Sequence, residues 1–395
     1  MKKGIISADW HIDYNNRMDD TRARIDELVD HAIGHKVDFF AFNGDAYKNC
    51  RPMPVEQEIF QSAQIRLVNA GIQVIDIVGN HDYPNSENQI HCLSEWKTLG
   101  IKGVTVVDEP SVISLGSDDE GHYVALCMPH IPKSVTGKRR YAEVYKEEFE
   151  KLWENYQEHV RHVSTGRPFY VMFLSHVLAT GAVLGATDWA VAQGDGVDIA
   201  EVLRGKYIDL GFLGDVHKEQ SVLVQGPTVV AYSGSLERID FGETMDRKGF
   251  YSVELGHPSK MEFVVNNAVP FVEVVCNITT SSPMNELSAF LEQEFHNPGR
   301  YEGAIVKVVI EATEEQARLI DETKFRELFA ELRPREIASF QVNVTGAERV
   351  RNENVNENAS PVDTLKEWVG MQVDISEDKK ERIIKTGEKI LKGLN

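Results

Sequence analysis

A chain of 395 residues is longer than one hydrophobic core comfortably serves, so two domains, or one domain with appendages, is the expectation. The formal net charge of -20 excludes a protein that coats nucleic acid unaided, because neutralisation of phosphates by cations supplies that affinity. No run approaches the length of apolar residues a membrane span needs, and Met1-Lys2-Lys3 leads into an apolar stretch too brief for a secretory leader, so a cytoplasmic protein with no membrane contact is expected.

The apolar run 4–8 reads as a strand ending at Asp9-Trp10-His11. From Asp20 the period becomes helical, with Ile25, Leu28, Val29, Ala32 and Ile33 on one face. A second strand, 37–42, ends at Asn43-Gly44-Asp45, and a helix over 55–69 presents Ile59, Ala63, Leu67 and Val68. The β-branched run 72–78 is a third strand, ending at Gly79-Asn80-His81-Asp82. Strands alternating with helices predict parallel pairing through right-handed crossovers, and α/β sheets of this kind place their chemistry at the carboxyl ends of strands.

Residues 102–128 hold several short strand-like runs, and 141–163 a long charged helix whose Phe149, Leu152, Trp153, Tyr156 and Val160 face a sheet. Lys138-Arg139-Arg140, just ahead of it, read as the solvated start of that helix in preference to a phosphate contact. A strand at 169–174 ends at Ser175-His176. The Gly- and Ala-rich stretch 177–199, with Asp188, Trp189 and Asp195, is expected to border a substrate cleft. A strand at 208–213 ends at Gly214-Asp215-Val216-His217, and short strands at 220–224, 228–232 and 249–255 suggest a second sheet packed on the first. Cys50, Cys92, Cys127 and Cys276 lack C-x-x-C spacing and read as thiols in a reducing compartment.

From residue 270 the pattern is strand, helix, strand, helix, strand (271–278, 284–295, 304–310, 325–332, 340–344). A polar, Asn- and Glu-rich linker is expected at 349–361. Beyond it come two short helices, one carrying Val362, Leu365, Trp368, Val369 and Met371, the other Ile383, Ile384, Ile390 and Leu391. A short apolar stripe beyond a linker cannot bury itself, so it is expected to seek a partner groove.

Five strand ends thus carry Asp, His or Asn: Asp9, His11, Asp45, Asn80, His176, Asp215 and His217, with His81 and Asp82 beside them. Oxygen and imidazole donors without thiolate suit Mn, Mg, Fe or Zn and lean toward the harder ions. They are too many for one tetrahedral ion. Two divalent ions bridged by one carboxylate would use them all, an arrangement that clamps the attacking and leaving oxygens of a phosphoryl transfer.

With its D-x-H, GD, GNHD, lone His and final G-D-V-H, the stretch 1–217 resembles the calcineurin-like metallophosphoesterases, where that last motif is usually G-H-x-H. The run Tyr232-Ser233-Gly234-Ser235-Leu236-Glu237-Arg238-Ile239-Asp240-Phe241-Gly242-Glu243 is similar to the SbcD branch. That branch is the nuclease subunit of double-strand-break repair complexes, called meiotic recombination eleven in eukaryotes. The resemblance implies an α/β fold: a layered αββα metallophosphoesterase sandwich with a small α+β capping domain and a C-terminal helical tail. It divides the chain into a nuclease domain (1–269), a capping domain that shapes DNA access (270–348), a linker (349–361) and a partner-binding tail (362–395).

By the same resemblance the chain is a two-metal DNA exonuclease and endonuclease of an SbcCD-like repair and recombination complex. Asp9, His11, Asp45 and His217 are assigned to one ion and Asp45, Asn80, His176 and Asp215 to the other. His81 faces the leaving 3'-oxygen, and Asp82 fixes the tautomer and tilt of that imidazole. Mn is the expected metal, with Mg or Fe as alternatives, since Asp in place of His at 215 favours hard ions. The implied partners are DNA, an SbcC-like coiled-coil ATPase docking on the C-terminal helices, and a second copy of the chain. The alternatives are a phosphomonoesterase or cyclic-nucleotide phosphodiesterase, which predicts neither capping domain nor tail, and a non-catalytic repair scaffold, which would tolerate decayed ligands.

Overall fold

The computed structural model describes residues 1–84, 90–163, 166–185, 196–226, 228–257, 259–344, positions 362, 365, 366 and 369, and the helix 377–392. The expectations for Asp188, Trp189, Asp195 and the linker 349–361 lie outside these residues. In the first half, β1 (Lys2–Ser7), α1 (Met18–Gly34), β2 (Phe39–Asn43), α2 (Pro54–Asn69), β3 (Gln73–Ile77), α3 (Ser94–Leu99) and β4 (Val104–Val107) follow one another. β1 to β4 pair in parallel in chain order, so each of the first three delivers its carboxyl end to the same edge.

The second sheet begins with the antiparallel pair β5 (Ser111–Ser117) and β6 (His122–Met128). After the short helix α4 (Lys133–Thr136) and the long α5 (Tyr141–Val163), β7 (Phe169–His176) and β8 (Leu210–Gly214) pair in parallel beside β6. β9 (Gln220–Gln225) and β10 (Thr228–Tyr232) complete it in the order β5-β6-β7-β8-β10-β9. β11 (Gly249–Leu255) and β12 (Lys260–Val265) then return to the first sheet, giving β12-β11-β1-β2-β3-β4.

Alternation along the strands sorts the side chains into layers. Ile5, Phe40, Phe42 and Val74 face outward onto Ile25, Leu28 and Val29 of α1 and Ile59, Phe60 and Leu67 of α2. Their neighbours Ile6, Phe39, Ala41, Ile75 and Ile77 face inward onto Tyr123, Ala125, Met172, Leu174 and Phe212 of the second sheet. The opposite face of that sheet, with Leu126, Val171 and Phe173, is covered by Val144, Tyr145, Phe149 and Leu152 of α5. The layers therefore run helix, sheet, sheet, helix, the αββα sandwich expected from the sequence.

Residues beyond 270 build a third sheet, β13 (Phe271–Asn277), β14 (Ile305–Ala312) and β15 (Glu336–Val344), all parallel. It has its own core, in which Val274, Val306 and Val308 meet Leu287 and Leu291 of helix Pro283–Glu294 and Phe325 and Phe329 of helix Glu322–Phe329. It meets the sandwich through Arg335, 2.6 Å from Asp20, and through Phe271, which lies under the Arg17 guanidinium (4.7 Å) and against the tilted ring of Phe241 (4.8 Å).

The tail differs from its expectation in one respect. Helix Glu377–Lys392 packs against the segment before it: Lys366 Nζ lies 2.6 Å from Glu388 Oε1, and a side chain at Gly387 would run into Leu365. Val369 is fully buried, and Leu365 meets the helix at Gly387, so part of the apolar stripe is covered. Among the described residues no helix is long and apolar enough to cross a membrane.

Candidate metal centre

The ends of β1, β2, β3, β7 and β8 converge on one buried spot. Asp9, His11, Asp45 and Asp215 all adopt positive φ (53°, 43°, 63° and 101°), a region that non-glycine residues occupy sparingly and that clusters at functional sites. The turns pack too closely for ordinary residues. A Cβ at Gly79 would sit 2.2 Å from Asp45 Oδ1, and one at Gly44, itself at φ 92°, would sit 2.3 Å from His176 Nδ1.

Each of three imidazoles is fixed by its Nδ1. His176 Nδ1 lies 2.7 Å from the Asn43 carbonyl, His81 Nδ1 3.0 Å from the Lys48 carbonyl, and His217 Nδ1 3.0 Å from Glu243 Oε1. Since a carbonyl or carboxylate can only accept, Nδ1 carries the proton and Nε2 presents its lone pair to the centre. His217 Nε2 is 3.0 Å from His11 Nε2, and His176 Nε2 is 3.5 Å from Asp45 Oδ2 and 3.7 Å from Asp215 Oδ1. Asn80 Oδ1 lies 2.7 Å from His176 Nε2, so it joins the carboxylate oxygens of Asp45 and Asp215 that crowd around that nitrogen.

Such crowding calls for positive charge. Burial pushes the carboxyls of Asp9 and Asp45 up to about 7, although His176 pulls both down. Burial would also lower His176, but the carboxylates of Asp45 and Asp215 outweigh it and hold the ring well above its ordinary value. Asp9 Oδ2 is buried without a hydrogen bond. Two triads lie within ion-holding distance, His11-Asp45-His81 and Asp9-Asp45-His176, and Asp45 belongs to both. The donor set thus fits two divalent ions, with nitrogen and oxygen ligands and no thiolate. The grouping differs from the sequence assignment: Asp9 and His11 fall in different triads, Asp9 joins His176, and His81 joins the triad that contains His11.

Asp82 corrects an expectation. Its carboxylate does not bond to the His81 ring; it accepts from the backbone N–H groups of Gly79 (2.8 Å), Asp45 (3.0 Å) and Ala46 (3.1 Å). It therefore holds two ligand-bearing turns together, and the Lys48 carbonyl sets the tilt of His81. Glu243 is a further residue to which sequence reasoning gave no role. It bonds His217 and is itself paired with Lys248 Nζ at 2.8 Å, both side chains being almost fully buried.

Comparison with known proteins agrees with this geometry. Residues 5–221 match the family model described as calcineurin-like phosphoesterase. The chain belongs to that family. Membership supports metal-dependent phosphoester hydrolysis. It is similar to the uncharacterized metallophosphoesterase YhaO of Bacillus subtilis (strain 168), 25% identical over 279 residues, which are 70% of this chain and 60% of YhaO. It is also similar to the SbcD component of nuclease SbcCD of Escherichia coli (strain K12), 22% identical over 305 residues, 73% of this chain and 72% of that one. Among solved structures, a dimetal phosphatase from Danio rerio aligns with a TM-score of 0.41 and 12% identity over 66% of this chain and 98% of that one, a likeness too loose to argue from.

Proposed function

We propose that the chain is a two-metal DNA nuclease, an exonuclease and endonuclease subunit acting with an ATPase partner in break repair. The observation that carries the hydrolytic part is the convergence of anchored imidazole Nε2 atoms on carboxylates grouped around Asp45. The nucleic-acid part is supported by the likeness to the SbcD component of nuclease SbcCD, whose 305 aligned residues outnumber those of the phosphoesterase segment 5–221. The sheet built from 271–344 fits a capping unit that shapes access to the site.

Asp9, His11, Asp45 and His217 are proposed to hold one ion and Asp45, Asn80, His176 and Asp215 the other, with Mn the preferred metal. Divalent ions bound there polarise the phosphate and make the attacking water more acidic. His81 has its Nδ1 proton committed to Lys48, so Nε2 is the atom left to meet the leaving 3'-oxygen. Burial holds that ring below its ordinary value, while the negative charge of a bound diester works in the opposite direction. The tail, with its remaining apolar surface, is the proposed ATPase dock.

The test is incubation of the purified chain with end-labelled duplex and single-stranded DNA, with Mn, Mg, Zn or a chelator, beside p-nitrophenyl phosphate. Metal-dependent shortening of DNA is expected, with ATP stimulation in the presence of the partner. Monoester turnover without DNA cleavage would instead favour the phosphomonoesterase reading.

A further inference from the structure

A chain with a formal charge of -20 repels a polyanion over most of its surface, so any grip on nucleic acid must be local. Between Glu120 and Glu143 the sequence has no carboxylate, yet it carries Lys133, Lys138, Arg139 and Arg140. All four are exposed. They sit on a segment that contains the short α4 and is closed at its base, where the Ile131 N–H donates to the Tyr141 hydroxyl at 3.3 Å. Tyr141 in turn stacks on His130, with ring centroids 5.6 Å apart.

That base borders the metal centre. The His130 N–H donates to the Val78 carbonyl at 2.9 Å, directly ahead of Gly79-Asn80-His81, and β6 ends at Met128 beside Ser175 of β7, one residue before His176. Tyr141 also stacks on Tyr145, with centroids 6.2 Å apart, and the Tyr145 hydroxyl lies 2.7 Å from Ser175 Oγ, next to His176. The cationic segment therefore rises from beside the turn that carries Asn80 and His81 and the strand end that carries His176.

Helix stability does not explain these charges. Lys138, Arg139 and Arg140 immediately precede the 23-residue α5, and cations at a helix N-terminus oppose the helix dipole. Local pairing explains only part of the charge. Arg139 pairs with Glu147, and among the described residues no ion pair joins Lys133 or Lys138 to a carboxylate.

We infer that the segment 131–141 is a contact surface for the phosphate backbone of a nucleic acid, guiding the strand as it leaves the metal centre, with Lys133 and Lys138 as the principal contacts. The inference rests on the nuclease reading and adds where the substrate runs. Contacts of this kind position the strand and carry no sequence preference.

The test is the salt dependence of DNA binding by the full-length, Mn-loaded chain. The probe is a short fluorescein-labelled duplex with phosphorothioate linkages to slow cleavage. A K133Q/K138Q variant should bind several-fold more weakly, equally for any sequence, and its log K against log salt slope should be shallower by about 2, one unit per lost phosphate contact. A K133R/K138R variant should restore the slope. An unchanged slope and affinity in K133Q/K138Q, with wild-type binding intact, would overturn the inference and leave the nuclease reading standing. A wild-type chain that neither binds nor cleaves DNA would sink that reading, and the assignment of this segment with it.

Discussion

Glu243 Oε1 lies 3.0 Å from His217 Nδ1, and the same carboxylate meets Lys248 Nζ at 2.8 Å, so the orientation of a candidate metal ligand depends on a buried ion pair. Lys248 also donates to the His217 carbonyl and to Ser235 Oγ, at 2.9 Å each, tying the ring's own backbone to the same cation. Replacing Glu243 by Gln leaves the Lys248 charge buried without its partner. The expected cost is about 3–5 kcal/mol of stability, with metal affinity lowered about 10–100-fold. Chemical denaturation and Mn titration of E243Q check both. A variant as stable as the parent would mean that the pair is not what holds this corner.

Asp82 and His81 are adjacent but should fail differently. An Asn at 82 supplies one acceptor oxygen and a clashing NH2 where three backbone N–H groups now bond, so D82N should lose about 1.5–3 kcal/mol and disturb the Asp45 turn. H81A should abolish DNA hydrolysis with metal content close to that of the parent. Loss of one ion equivalent in H81A would place the ring among the ligands, as its triad with His11 and Asp45 allows.

Asp76 offers a pH test away from the centre. It is fully buried in β3, bonded through Oδ1 to Gln64 Nε2 at 3.1 Å, and burial raises its carboxyl well above the ordinary value. Above about pH 3.9 the unfolded chain ionises this group while the folded one keeps its proton. The unfolded state then binds fewer protons, and stability falls as pH rises from there toward the raised folded value. D76N should remove that slope and be relatively more stable at pH 8 than at pH 5. Parallel pH profiles for parent and variant in urea denaturation would contradict the assignment.

Much of this is legible in the sequence because it is local. Apolar runs ending in Asp9, Asp45, Asn80, His176 and His217 announce both the strands and the candidate ligands, since a parallel sheet brings its strand ends to one edge. What stays hidden depends on longer-range contacts. Nothing in spacing tells that Asp82 bonds backbone N–H groups instead of its neighbour's ring, or that Glu243 crosses to His217 from a turn 26 residues on. The meeting of Leu365 with Gly387 is hidden too, because each short apolar stripe of the tail looks partnerless when taken alone.

Asp215 is the departure from the usual motif. Its carboxyl is pushed up by burial and, more strongly, down by His176 and other imidazoles, leaving it below its ordinary value. As an anionic ligand it should favour Mn or Mg over Zn and set a higher pH optimum than an imidazole would. D215H is expected to bind Zn more readily and shift the activity profile toward acid. Metal affinities and a pH profile unchanged from the parent would show that Asp215 stands outside the shell.

The bridging role of Asp45 is what the proposed chemistry depends on most, and metal stoichiometry measured together with hydrolysis tests it directly. Chelator-stripped parent protein titrated with Mn should bind two ions per chain and recover diester cleavage only as the second site fills. D45A should bind fewer than one ion and cleave nothing. Cleavage by the stripped parent without added metal, or two ions retained by D45A, would contradict that role.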